Sequence, residues 1–376
     1  MPARWQRYLD RWTNAGLIDP VTAERIRALE AREERAGGLR WPVLLAVSLG
    51  GLLLAAGVLL FVAAHWDRLS PGERFGLVLG LVAVFHLGAA ALAQGFPALA
   101  TTLHAVGTVC LGAGIFLAGQ IFHLQEHWPA GIMAWALGAG IGWALLRDWP
   151  QAALAALLTP AWLGGEWLEA VGDQEVSIRI LVEGLLLLAI TYLTALQPDR
   201  TTPVRRALMV IGALTLLPLA TAVPLIAAEV PRSAPAWEGP AGLGRTLAVA
   251  LPLLAAFGLR RRAAWLNGVA ALWVLALGQT RWTMGSGWQD LGPYALWALG
   301  GLALIAWGLA EEHRERINLG VAGFALTVIA YYFSTVMDKL GRASSLIGLG
   351  LLFVLGGWLL EKVRRRLLAR VGRVQP

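Results

Sequence analysis

Residues 99–128 read LATTLHAVGTVCLGAGIFLAGQIFHLQEHW, and this stretch decides the fold class. Read as one helix, it places His104, Thr108, Gly112, Gly119 and His123 at steps of four, four, seven and four, on one small and polar face. The nineteen steps from His104 to His123 cover roughly 28 Å at the helical rise, about the hydrocarbon thickness of a bilayer. Leu, Ile, Val and Phe occupy the other faces, as lipid or neighbouring apolar helices require. The spacing predicts a membrane-spanning helix with the polar face turned into the protein and Gln120 bordering it.

Composition agrees with that class. Hydrophobic residues make up 57% of the 376 and charged residues 15%, where a soluble domain carries about a quarter charged. Mean hydropathy is +0.62. The formal charge of +7 does not point to nucleic acid, because the basic residues flank apolar runs instead of lining one soluble face. The single cysteine, Cys110, excludes an intramolecular disulfide. Some 40 polar residues precede the first apolar span, unlike the short basic segment of a cleavable signal, so that span is expected to stay in the mature protein.

At the N-terminus, Trp5, Tyr8, Leu9 and Trp12 recur at helical spacing, and Asn14-Ala15-Gly16 supplies a stop. Asp19-Pro20 has the form of an N-cap with proline at the first helical position, opening a second helix with Val21, Ile26 and Leu29 on one side. The pair reads as a small helical hairpin that packs on the membrane part, the lipid surface or a partner.

Apolar spans follow at residues 42–64, 75–93, 99–122, 130–146, 152–168, 178–196, 204–228, 243–259, 263–279, 293–310, 317–336 and 344–360. The fifth holds Thr159-Pro160 and Gly164-Gly165 and reads either as a crossing or as re-entrant. With the N-terminus in the cytoplasm and every span crossing, 23 of the 31 Lys and Arg residues fall inside. The positive-inside rule requires such a bias, and an even number of crossings keeps the Arg260–Arg262 cluster and the basic tail inside.

Glu183 is the costliest side chain in a span, with Arg179 four residues earlier and Thr191 and Thr194 on the same face. An intramembrane carboxylate is a functional candidate by default; the alternative is a structural Arg179–Glu183 pair near the outer interface. His86, His104, Gln120 and Asn267 are further polar groups within spans, suited either to proton relay or to bonding neighbouring helices. Pro160, Pro218, Pro224 and Pro252 are expected to interrupt the fifth, seventh and eighth spans, as helices do where transporters expose backbone to substrate.

His123-Leu124-Gln125-Glu126-His127 matches the H-x-x-E-H zinc-peptidase pattern. Trp128-Pro129 ends the helix at once, and no downstream carboxylate helix offers a third ligand, so zinc catalysis is not assigned. Gly76-x-x-x-Gly80 and Gly138-x-x-x-Gly142 permit close helix approach, and Trp66, Trp128, Trp149 and Trp282 fit interfacial belts.

Several segments resemble a bacterial family of predicted membrane proteins, domain-of-unknown-function family 2157. They are Trp12-x-x-Ala15-Gly16-Leu17-Ile18, Ala64-His65-Trp66, Gly119-Gln120-Ile121-Phe122-His123-Leu124, Asn318-Leu319-Gly320, and Tyr331-Tyr332-Phe333 leading into the Glu361–Arg366 basic tail. The resemblance implies a many-helix membrane architecture and no activity. It adds interest to His65, Gln120 and His123.

The expected fold is all-α: a polytopic transmembrane helix bundle of about twelve spans (41–361), preceded by a small cytosolic helical hairpin (1–40) and followed by a basic cytosolic tail (362–376). The expected place is the bacterial cytoplasmic (inner) membrane, multi-pass, with both termini cytoplasmic, the lipid bilayer as partner and no nucleic acid. The leading function is a small-molecule or ion transporter, or a permease-like component, with His104, Gln120, His123, Glu183 and His65 lining a cavity. The alternatives are a non-transporting scaffold or sensor recruiting a protein partner through the hairpin, and an enzyme acting on a lipid-linked substrate. No cofactor, metal or catalytic residue is assigned.

Overall fold

The structure is a computed structural model that describes Leu9 and residues 11–36, 69–121, 127–171, 174–197, 201–229, 239–280 and 291–333, with isolated positions between 350 and 362. The chain divides into two compact units, Met1–Arg74 and Phe75–Pro376. In the first unit, residues 11–14 are helical and the chain turns at Gly16, whose φ of +71° suits glycine. Asp19 caps helix α1 (Pro20–Ala36), its two carboxylate oxygens accepting from the Thr22 N–H at 3.1 and 3.2 Å. The stop and the cap stand where the sequence places them. Leu9 and Ala23 are buried, whereas Val21 and Leu29 are exposed.

The rest of the described chain is helical and contains no β-strand. Its helices are α2 (Pro71–Leu92), α3 (Pro97–Ile121), α4 (Trp128–Leu146), α5 (Trp149–Ala170), α6 (Gln174–Leu193) and α7 (Pro203–Glu229). They continue with α8 (Gly239–Arg260), α9 (Trp265–Gln279), α10 (Leu291–Ala310) and α11 (Arg314–Tyr331). Each lies on one of the apolar spans from 75–93 to 317–336. The first span, 42–64, falls outside the described residues, as does nearly all of the last, 344–360.

Seven of the described helical stretches are long and apolar enough to cross a membrane. Among them α8 and α9 form one continuous stretch, Gly239–Gln279. That stretch is nevertheless two antiparallel arms. Arg261 has a φ of +52° and opens a 3-10 turn through Ala264. Arg260 and Asn267, on either side of the turn, both reach Thr194, while Arg245 and Gly278, at the far ends, both meet Glu183. Helix α5 is outside the set of seven, with Gln151, Glu166 and Glu169 among its alanines, as is α11, which opens on Arg314, Glu315 and Arg316.

Helix α6 is the centre of the second unit: 56% of its apolar window is buried, against 11 to 28% for the other candidate spans. Leu186, Leu187, Ile190 and Leu193 on α6 pack with Leu216, Ala220 and Val223 of α7, Ala271, Val274 and Leu277 of α9, and Trp297 of α10. The outward faces are as apolar as this core. Leu87, Leu145, Leu214, Leu254, Phe257 and Leu272 are all exposed, the pattern of a protein whose solvent is lipid. Trp128 and Trp149 are also exposed, at helix starts, where belt residues belong.

One expectation is corrected. The prolines do not interrupt their helices: α5, α7 and α8 run unbroken through Pro160, Pro218, Pro224 and Pro252. In α5 the cause is visible, because Pro160 removes the N–H that would bond the Ala156 carbonyl, and the Tyr192 hydroxyl from α6 donates to that carbonyl at 2.9 Å instead. Gly76 and Gly80 have no described neighbour within 4 Å of a Cβ built on them. Gly138 and Gly142 do, against Leu111 and Gln151.

Candidate functional site

The polar face of α3 is the hub of one side-chain network. Its helix forms because a long Ala, Leu, Val and Gly run carries no charge between Pro97 and Ile121. Thr108 and Gly112 on that face are buried, and His104 is half-buried. His104 Nδ1 lies 2.9 Å from His86 Nδ1 on α2, so one ring donates and the other accepts, in opposite tautomers. The Thr108 hydroxyl is 2.9 Å from Gln151 Oε1 on α5 and 3.1 Å from the His104 carbonyl, sharing its single proton between them. Gln151 Nε2 donates to the same His104 carbonyl at 3.1 Å, and the Trp135 indole of α4 donates to the Thr108 carbonyl at 2.8 Å. One turn of α3 therefore bonds three other helices. A Cβ on Gly112 would collide with the Trp135 ring, so the glycine is what lets α4 approach.

A second centre is built on α6. Glu183 is buried, and Arg179, one turn earlier, donates to it from Nε at 3.1 Å. Arg179 Nη2 also donates to the Gly278 carbonyl of α9 at 2.5 Å. Arg245 of α8, itself buried, brings Nη2 to 3.5 Å from the other carboxylate oxygen. A Cβ on Gly278 would strike Glu183 Oε1, so this glycine makes room for the carboxylate. Three helices meet on one ion cluster, with Glu183 about 13 Å along α6 from its first residue.

The opposite ends of these helices carry a third cluster. Glu311, in the turn after α10, accepts from Arg260 and Arg316, each at 2.5 Å, and from the Trp307 indole at 2.7 Å. Both guanidiniums also lie over the Trp307 ring, at 5.1 and 5.6 Å from its centroid. Arg260 donates to the Thr194 carbonyl and Arg316 to that of Leu196, while Arg205 donates to those of Ala195 and Leu259. Four helix ends, those of α6, α7, α8 and α11, are thereby tied to the turn after α10. Burial favours the neutral carboxyl at Glu311, but the hydrogen bonds from Arg316 and Arg260 and the Arg316 charge outweigh it and hold the group at about 2.

Residues 10–151 match the model of a family described as predicted membrane protein (DUF2157). No curated protein and no solved structure matches the chain. The DUF2157 match contains the whole α3 network, from His86 to Gln151, and ends before Glu183. The C-terminal likeness at Asn318–Gly320 and Tyr331–Phe333 lies outside the DUF2157 match.

The expected site residues are dispersed. His104 and Glu183 belong to separate networks, and Gln120 is exposed near the end of α3. Gly119 has no described neighbour within 4 Å of a built Cβ. His65 and His123 lie outside the described residues. His127 of the H-x-x-E-H pattern pairs with Glu166 at 2.6 Å. Sequence reasoning gave no site role to Gln151, Arg245, Arg260, Glu311 and Arg316. Arg245 was findable, since it lies inside an apolar span and carries the same cost as Glu183. The role of Glu311 was not, because a carboxylate at a span end is ordinary until two arginines from distant segments close on it.

Proposed function

We propose that this membrane protein is a non-transporting scaffold or sensor whose interior polar groups tie its helices together. The observation that supports the reading is the Glu183 cluster. A carboxylate inside the membrane is met by arginines from its own helix and from α8 and packs against α9, which is how a structural charge is accommodated. The α3 network has the same character, since each of its side chains bonds a neighbouring helix. Exposed Trp12, Leu17, Val21 and Leu29 in the first unit supply apolar surface for a recruited protein partner. The accompanying topology is twelve spans in the bacterial inner membrane with both termini cytoplasmic, supported by the arginine bias.

The second reading is a small-molecule or ion transporter or permease-like component. An intramembrane group of one carboxylate and two arginines favours it. The unbroken proline helices and the separation of His104 from Glu183 weigh against it.

The test is a stability cycle on the full chain in detergent. In a tie, Glu183→Gln alone leaves buried arginines facing a neutral group and costs about 3 to 5 kcal/mol, whereas Glu183→Leu with Arg179→Met and Arg245→Met recovers most of the loss. A Glu183→Gln protein as stable as the wild type would refute the tie and return the residue to the transport reading.

A further inference from the structure

The arginine-rich end of the second unit sits above an apolar groove of about 550 Å³ between α7, α9, α10 and α11. Along α10 the groove runs from Ala310 to Trp297, roughly 20 Å, and its walls include Leu266, Val269, Leu304 and Leu319. Ala303, Ala306 and Ala310 are exposed along α10, so the groove opens sideways where acyl chains lie. Trp307 belongs both to the groove and to the cluster overhead, its indole donating to Glu311 beneath the Arg260 and Arg316 guanidiniums.

The cluster arginines are engaged, but each stands beside exposed ones. Arg206 follows Arg205, Arg261 and Arg262 follow Arg260, and Arg314 precedes Arg316 by two. Because Arg205 bonds the Leu259 carbonyl and Arg260 bonds Glu311, these four exposed cations are gathered at one end of the bundle. Among the described residues the exposed carboxylates in the same turns are Glu312 and Glu315, so there the exposed cations outnumber them two to one. A basic rim over an apolar, laterally open groove is complementary to one molecule with an anionic head and hydrocarbon tails.

We propose that this groove is a binding site for an anionic phospholipid, an acyl chain lying along α10 between Trp297 and Ala310 and the phosphate meeting Arg261, Arg262 and Arg314. Arg261 is itself the left-handed residue at the turn from α8 into α9, and its side chain is exposed there instead of continuing the helix.

The experiment uses the purified full chain in a mild, lipid-free detergent, with thermal unfolding and native mass spectrometry as readouts. Phosphatidylglycerol is expected to raise the unfolding temperature and to remain bound, phosphatidylcholine to do so far more weakly, and inorganic phosphate not at all. Arg261→Gln with Arg262→Gln is expected to weaken phosphatidylglycerol binding about thirtyfold. Ala306→Phe, which narrows the groove without touching a charge, is expected to weaken it as well. Equal effects of the two lipids, an equal shift from inorganic phosphate, or unchanged binding by either variant would overturn the site. Should a variant fail to fold, the wild type decides: retention of phosphatidylglycerol must fall between 0.05 and 0.5 M salt, by about tenfold, while that of phosphatidylcholine stays constant. A salt-independent retention contradicts the proposal.

Discussion

Gly278 and Glu183 are a fitted pair, since the carboxylate occupies the space a methyl group would need. Gly278→Ala is expected to destabilise the protein by about 2 kcal/mol, read as a lowered unfolding temperature in detergent. Glu311 gives a pH signature. Its folded-state value of about 2 is below the ordinary 4.5, so its contribution to stability is present above 4.5 and is lost as pH falls toward 2. Unfolding followed across that window should show Glu311→Gln flattening the acid loss of stability; an unchanged slope would mean the arginines do not hold it. Single residues were only partly legible in the sequence. Glu183 stands out because charge inside an apolar run is visible in one dimension. Gln151 does not, because its importance comes from meeting Thr108 and the His104 carbonyl, 43 and 47 residues away in the chain.

Helices were far more legible than their breaks. Runs of about 20 apolar residues between charged or Gly/Pro-containing links state where helices lie, because the bilayer imposes one length. The effect of an interior proline is not local: at Pro160 it depends on Tyr192 arriving from another helix to take the freed carbonyl. Tyr192→Phe is accordingly expected to cost about 1 kcal/mol and to loosen α5 around Pro160, detectable as faster hydrogen exchange in that segment with α7 unaffected. Helix α4 ends on Arg147, a non-glycine residue with a φ of +57°. Arg147→Gly should stabilise the protein by up to about 1 kcal/mol, and a destabilisation would show the side chain to matter more than the backbone. On α3, the packing account expects Gly112→Leu to disrupt the fold through Trp135, while His104→Ala is tolerated.

At the scale of the whole molecule, the class was legible from composition and the arrangement was not. Nothing in one dimension says that α6 is central, or that the Glu183 cluster and the Glu311 cluster sit at opposite ends of the same helices. Both follow from contacts between residues 51 to 120 positions apart, such as Arg260 with Glu311 and Arg316 with Leu196. The central claim is that the interior polar groups are helix ties in a dry bundle. Thiol labelling in intact membranes tests it most directly, with single cysteines at Thr108 and Thr191 on a Cys110→Ala background and an exposed control at Arg314. The account predicts that a membrane-impermeant aqueous reagent modifies the control and leaves positions 108 and 191 unlabelled from either side. Rapid labelling at either interior position, at a rate approaching that of the control, would reveal a water-filled path and contradict it.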